Sequence, residues 1–224
     1  MVVKVITNIL QIIVLLTQIS CGVYFLKKYS RNRKKIEFNY MNIIYALFYI
    51  LICIGQGIYF YYLTFLTDFN PVLYDSFMEY FIAGSAFHVA GLSVILLITE
   101  RRILKGKDKY LLFISVIFIV ILIFLSKTRK EAENLTLLGC ALAMILPLFL
   151  WLYLVFKTVG AIRKNAALIF FGIIIYLLGM LASVSGINAF FVELTGLENR
   201  WIYSVGYIIR ITAMFLLARG FNRD

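Results

Sequence analysis

Residues Lys4–Lys35 read KVITNILQIIVLLTQISCGVYFLKKYSRNRKK, and the placing of charge in this stretch decides the kind of protein encoded. Only Lys4 precedes the long uncharged run, whereas Lys27, Lys28, Arg31, Arg33, Lys34 and Lys35 follow it. A helix of about 20 apolar residues crosses the roughly 30 Å hydrocarbon core of a bilayer. A secretory signal peptide would carry its positive charge before the run and a small-residue cleavage site after it. Ile19-Ser20-Cys21-Gly22 faintly matches a lipoprotein cleavage box, but Gln18 stands where an aliphatic residue is wanted. The run is therefore expected to be retained as a membrane span, with its basic flank in the cytoplasm.

The same alternation of apolar run and charged loop continues along the chain. Spans are predicted near 4–26, 40–66, 76–99, 110–126, 134–156, 166–190 and 201–218. Of the 224 residues, 63% are hydrophobic and 15% charged, against about 45–50% and about 25% in a soluble domain. Seven spans leave only short loops, so residues 1–224 are expected to form a single seven-helix transmembrane domain. The fold class is all-α, a polytopic bundle with its amino terminus outside and its carboxyl terminus cytoplasmic.

Charge sets that orientation. The first inner loop holds the six basic residues named above, and the next holds Arg101, Arg102, Lys105, Lys107 and Lys109. Lys157, Arg163, Lys164, Arg219 and Arg223 complete the inner set, sixteen of the 22 Lys and Arg. The outer side holds Lys4, Lys127, Arg129, Lys130 and Arg200. Short cytoplasmic loops carry the excess of Lys and Arg, so sixteen against five fixes the topology. The net charge of +11 is then mainly an orientation signal. Nucleic-acid binding is not expected, because no soluble domain carries the basic surface. Tyr59, Phe60, Tyr61 and Tyr62 at the outer end of span two, Trp201, and Trp151 with Tyr153 fit anchoring at the headgroup boundary.

Polarity inside the bilayer is costly, so it marks candidate function. Arg210, in the middle of the last span, faces a cost of about 3 kcal/mol on insertion scales. It either binds an anion or switches state in the bundle interior, or it snorkels and bonds to backbone carbonyls. His88, the sole histidine, lies near the middle of span three with Gly84, Ser85, Gly91 and Leu92 on its face. Such small residues suit close helix packing, so His88 is either a hydrogen-bonded packing element or a proton relay. Gln11, Gln18 and Gln56 add neutral polarity, and with Arg210 and His88 they form the candidate intramembrane polar layer. Glu100, at the inner end of span three, is the candidate inner latch for Arg210. Gly179 with Ser183 and Ala182 with Gly186 are small pairs suited to a tight crossing, and Pro147 suits a kink.

Enzyme chemistry lacks its parts. A zinc hydrolase needs three or four converging ligands, and haem held by two histidines needs a second histidine. Ser85 and His88 share one helix and cannot face each other as nucleophile and base. A retinal Schiff base needs a lysine at the depth where Arg210 stands. Cys21, Cys53 and Cys140 lie in apolar spans and behave as small hydrophobes. No catalytic residue, metal or cofactor is expected, and the chain is expected not to be an enzyme.

Thr99-Glu100-Arg101-Arg102 resembles the acidic–Arg step of G-protein-coupled receptors. The outer disulfide pair and the Asn-Pro-x-x-Tyr motif of that family are lacking. A second resemblance covers more of the chain. Lys157-Thr158-Val159-Gly160-Ala161-Ile162-Arg163-Lys164, leading into Gly172 and Leu178-Gly179, resembles the later helices of prokaryotic seven-helix sensor regions, including those fused to histidine kinases. That resemblance implies a receptor-like sensor in the plasma membrane. It would signal through a separate cytoplasmic partner at the basic inner loops. A small-solute or anion transporter or channel using the same polar layer is the alternative. A structural or assembly subunit with no ligand of its own is the third reading.

Overall fold

The computed structural model describes residues 2–31, 36–103, 110–182 and 185–222. Arg33, Lys34, Lys35, Lys105, Lys107, Lys109, Ser183 and Arg223 lie outside the described residues, as do the side chains of Arg101 and Arg102. Among the described residues every regular element is helical. The helices are α1 (Val2–Arg31), α2 (Ile36–Tyr61), α3 (Met78–Ile103), α4 (Leu111–Phe124), α5 (Arg129–Lys157), α6 (Gly160–Leu181), α7 (Ser185–Thr195) and α8 (Asn199–Phe221). A π-turn, Tyr62–Leu66, extends α2, and two 3-10 turns, Pro71–Leu73 and Asp75–Phe77, lead into α3.

Six of these helices are long and apolar enough to cross a membrane; α4 is apolar but has only 14 residues. The distribution of side chains is the reverse of a water-soluble bundle. On α1 the buried residues include Thr7, Gln11, Thr17 and Gln18, while Ile9, Ile12, Leu16 and Ile19 are exposed. Exposed Phe118, Phe149, Phe171, Val205 and Phe215 continue that apolar outside on other helices. Water would penalise such a surface by about 25 cal/mol per Å², whereas lipid does not. This pattern fits a multi-pass membrane protein.

Two compact units divide the chain, one of residues 1–17 with 151–224 and the other of residues 18–150. In the second unit α3 packs on α2 and α4. Cβ atoms added at Gly84, Gly55 and Gly91 would lie 3.3 Å from the Tyr59 ring, 2.7 Å from His88 Nδ1 and 2.7 Å from Ile52. Residue numbers fall on α2 as they rise on α3, so the two helices cross antiparallel with their backbones close. Small residues permit this approach, which supplies van der Waals contact where the hydrophobic effect supplies none.

The first unit repeats the device between α6 and α8. Gly172 meets Leu217, Gly179 meets Arg210 and Gly206, and Gly220 meets Ile169, with added Cβ atoms at 2.8 Å or less from a neighbouring side chain. This pair too runs antiparallel. A small-residue crossing thus centres on Gly179 of α6, and on Ala182 just beyond its end, against Gly206 of α8.

Two expectations change. The apolar run 166–190 is not one helix: α6 ends at Leu181 and α7 starts at Ser185. Asn188 Nδ2 donates to the Ala182 carbonyl at 3.0 Å, clipping the start of α7 to the end of α6. Hydropathy stays high past Leu181, so the run conceals where α6 ends. Tyr62 and Trp151 are buried, 1% and 5% exposed, and so are packed rings and not headgroup anchors. The α5 helix runs on through Pro147.

Candidate functional site

The five residues expected in the polar layer divide between the two units. Gln11 and Arg210 belong to the first, and Gln18, Gln56 and His88 to the second.

In the first unit, α1 and α8 present polar side chains to one another at matching heights. The Thr7 hydroxyl is 2.8 Å from that of Ser204, which donates to the Arg200 carbonyl at 2.9 Å. One turn further along, Gln11 Nε2 donates to the Tyr207 hydroxyl. Numbers rise together on both helices, so α1 and α8 pair in parallel. Both helices place these groups at i and i+3 or i+4 because that spacing returns to one face.

Arg210 continues the column on α8. It is 4% exposed, and its Nε donates to the Gly179 carbonyl of α6 at 3.1 Å. Its guanidinium carbon lies 5.7 Å from the centre of the Tyr207 ring, within cation–π range. The missing side chain at Gly179 opens the carbonyl to it: a Cβ there would sit 2.8 Å from Arg210 Cγ. A backbone carbonyl already bonded within its helix keeps a second lone pair. Arg210 uses such an acceptor to hold α6 to α8.

In the second unit, His88 is 2% exposed and packs against Gly55 and the Tyr59 ring, with ring centroids 5.3 Å apart. The Tyr59 hydroxyl is hydrogen-bonded to Ser85 Oγ, so Ser85, His88 and Gly84 all bear on one α2 tyrosine. Gln56 is 1% exposed. Gln18 is buried with neither amide atom hydrogen-bonded among the described residues.

Glu100 has an occupation that the sequence did not suggest. Its carboxyl group lies at the start of α4, under the influence of the backbone N–H groups of Leu112 and Phe113, the second and third residues of that helix, while its Oε2 is buried with no hydrogen bond among the described residues. Tyr110, just before α4, adopts a left-handed φ of 83° and offers no side-chain cap. An acidic group from α3 thus stands beside the positive end of the α4 dipole. Arg210 and Glu100 fall in different units, so the latch stays an expectation.

At the start of α5, Arg129 stacks its guanidinium on the Tyr74 and Phe81 rings, at 4.5 and 5.1 Å. Tyr62 joins by donating to the Tyr74 carbonyl at 2.9 Å. Sequence reasoning missed Thr7, Ser204 and Arg129. The first two carried a usable signal, lying one turn from Gln11 and Tyr207 on their own helices; Arg129 carried none, being one more basic residue in a loop.

Among the described residues no group of three or more His, Cys, Asp or Glu side chains is placed to hold a metal ion. Among the described residues Cys21, Cys53 and Cys140 form no disulfide. Comparison with protein-family models, curated proteins and solved structures found no match.

Proposed function

We propose that this chain is a receptor-like sensor of the plasma membrane, with seven crossings, an outer amino terminus and a cytoplasmic carboxyl terminus. It passes its signal to a separate protein at the basic inner loops and performs no chemistry of its own. The observation that carries this reading is the bonding of the polar column in the first unit. Ser204 and Tyr207 of α8 bond to Thr7 and Gln11, and Arg210 bonds through Nε to the Gly179 carbonyl. These bonds are discrete, and a shift of α8 by a fraction of a turn exchanges several together. A sensor needs such an element with separate arrangements that a stimulus can bias. A solute path would instead leave its polar groups turned to the permeant. The parallel pairing of α1 and α8 supports an odd number of crossings.

The test combines a response and a flux. Transcripts of the parent cell, a deletion strain and an Arg210→Leu strain are compared after benzyl alcohol loosens lipid packing. A response present in the parent and absent from the other two, with the variant at parental abundance, is the expected result. Purified protein in vesicles should pass no iodide. An unchanged response in the deletion strain, or iodide flux above empty vesicles, overturns the reading.

A further inference from the structure

The short helix α7 has its apolar side turned outward. Ile187, Phe190, Phe191 and Leu194 fall at i, i+3, i+4 and i+7, the spacing of a single helical face. Phe190, Phe191 and Leu194 are 59%, 42% and 68% exposed. Asn188, about 100° round the helix from Ile187, is 4% exposed and bonded to the Ala182 carbonyl. Water would select the reverse arrangement, with aromatic rings against the protein and the amide outside.

Length decides what covers that face. Eleven residues extend about 16 Å, half of what a crossing needs. The flanking α6 and α8, of 22 and 23 residues, are each long enough to cross alone, at about 33 Å. The start of α8 lies just beyond α7, and Trp201 there is 38% exposed, a ring type favoured at the headgroup boundary. Gly196, with φ of 66°, ends α7 in the left-handed conformation, and its N–H donates to the Val192 carbonyl at 2.9 Å. The chain therefore stops and turns before it could enter the bilayer as a further span. The exposed face of α7 is also continuous in character with the exposed Leu178, Val205 and Ile208 of its neighbours.

We infer that α7 lies in the plane of the membrane, with Ile187, Phe190, Phe191 and Leu194 embedded at the boundary of headgroups and acyl chains. The partner is the lipid surface itself, and the inference rests on the membrane-sensor reading. It names the stimulus: packing in the leaflet that holds the start of α8. Asn188 holds α7 to the Ala182 carbonyl, and the Ala182 side chain abuts Gly206. Displacement of α7 in the interface thus bears on the crossing where Arg210 meets Gly179.

The test measures depth. Nitroxides are placed one at a time at Phe190, Leu194, Glu193 and Ile208, in a chain whose Cys21, Cys53 and Cys140 are alanine, in phosphatidylcholine vesicles. Accessibility to oxygen reports lipid, and accessibility to a water-soluble nickel chelate reports water. The expected oxygen-to-nickel ratio is higher at Phe190 and Leu194 than at Glu193, and lower than at Ile208 in mid-span. Nickel accessibility at Phe190 equal to that at Glu193 would place α7 in water. Shielding of Phe190 and Leu194 from both reagents would mean that a second copy covers the face. A depth equal to that of Ile208 would place α7 in the middle of the bilayer and not at the headgroup boundary. Each of these three results overturns the inference, while a lipid-like Ile208 would leave the membrane reading intact. If the alanine background does not fold, Phe190→Trp in the native chain replaces it. Its added emission should be quenched more by lipid brominated near the headgroup than near the chain end, and the opposite order overturns the inference.

Discussion

Gln11 and Gln18 stand two turns apart on the buried side of α1, 0% and 1% exposed, yet their energetics have opposite signs. The Gln11 amide is hydrogen-bonded to Tyr207, whereas the Gln18 amide atoms are buried with no hydrogen bond among the described residues. Gln11→Leu removes the hydrogen bond to the Tyr207 hydroxyl and is expected to cost about 1 kcal/mol. Gln18→Leu removes an unsatisfied group and is expected to leave stability unchanged or raise it by about 1 kcal/mol. Melting of the two variants in detergent measures the difference, and an equal loss for both would contradict it. Depth was legible in the sequence at this scale, since Gln11, Gln18, Gln56, His88 and Arg210 all proved buried. Partnership was not, because a helix's rotation about its axis decides which equally deep groups meet. Glu100 shows the same limit. Its position near the end of α3 was plain, but its place beside the start of α4 depends on how α3 and α4 pack.

Glycine governs the elements, and the two crossings make different demands on it. An alanine Cβ at Gly179 would meet Arg210 Cγ at 2.8 Å, the Gly206 carbonyl oxygen at 3.0 Å and the Arg210 backbone nitrogen at 3.2 Å. Two of these are backbone atoms, which cannot swing aside, so Gly179→Ala should cost about 1–3 kcal/mol through overpacking. At Gly22 the nearest atoms lie at 3.6, 3.7 and 3.9 Å, ordinary contact distances. Gly22→Ala should therefore gain about 0.5–1 kcal/mol from helix propensity. Unfolding in mixed micelles separates the pair, and a neutral Gly179→Ala would remove the close crossing from the account. The helices themselves were legible, because charge punctuates the apolar runs. The end of α6 was not: Ala182, Val184 and Ile187 keep the sequence apolar past Leu181, where α6 ends. The outer end of α2 was half legible. Its aromatic cluster was evident, but Tyr62 packs on Tyr74 and Phe81, whose rings carry Arg129, a contact between residues far apart in sequence.

The number of crossings is a property of the whole molecule, and it turns on α4. At 14 residues this helix extends about 21 Å, short for a hydrocarbon core of about 30 Å. If α4 did not cross, every later loop would change sides. The inner count of Lys and Arg would then be fifteen against six instead of sixteen against five, so charge alone hardly distinguishes the two topologies. The α1–α8 pair does. Thr7 meets Ser204 and Gln11 meets Tyr207, which makes the first and last long helices parallel. Parallel helices enter a membrane from the same side, which supports the proposed odd number of crossings. The six long helices reach seven when α4 crosses and α7 does not. A short span is accommodated by local thinning of the bilayer at modest cost, and α4 has α3 to pack against. Single cysteines in intact cells decide the matter with an impermeant maleimide. Asn70, Glu131 and Leu197 positions should label, and Ser30 and Lys164 positions should not. With six crossings Ser30 and Asn70 would keep their behaviour, but Glu131, Lys164 and Leu197 would all invert. The three later positions therefore test α4, and the two earlier ones test the orientation that the first basic loop assigns.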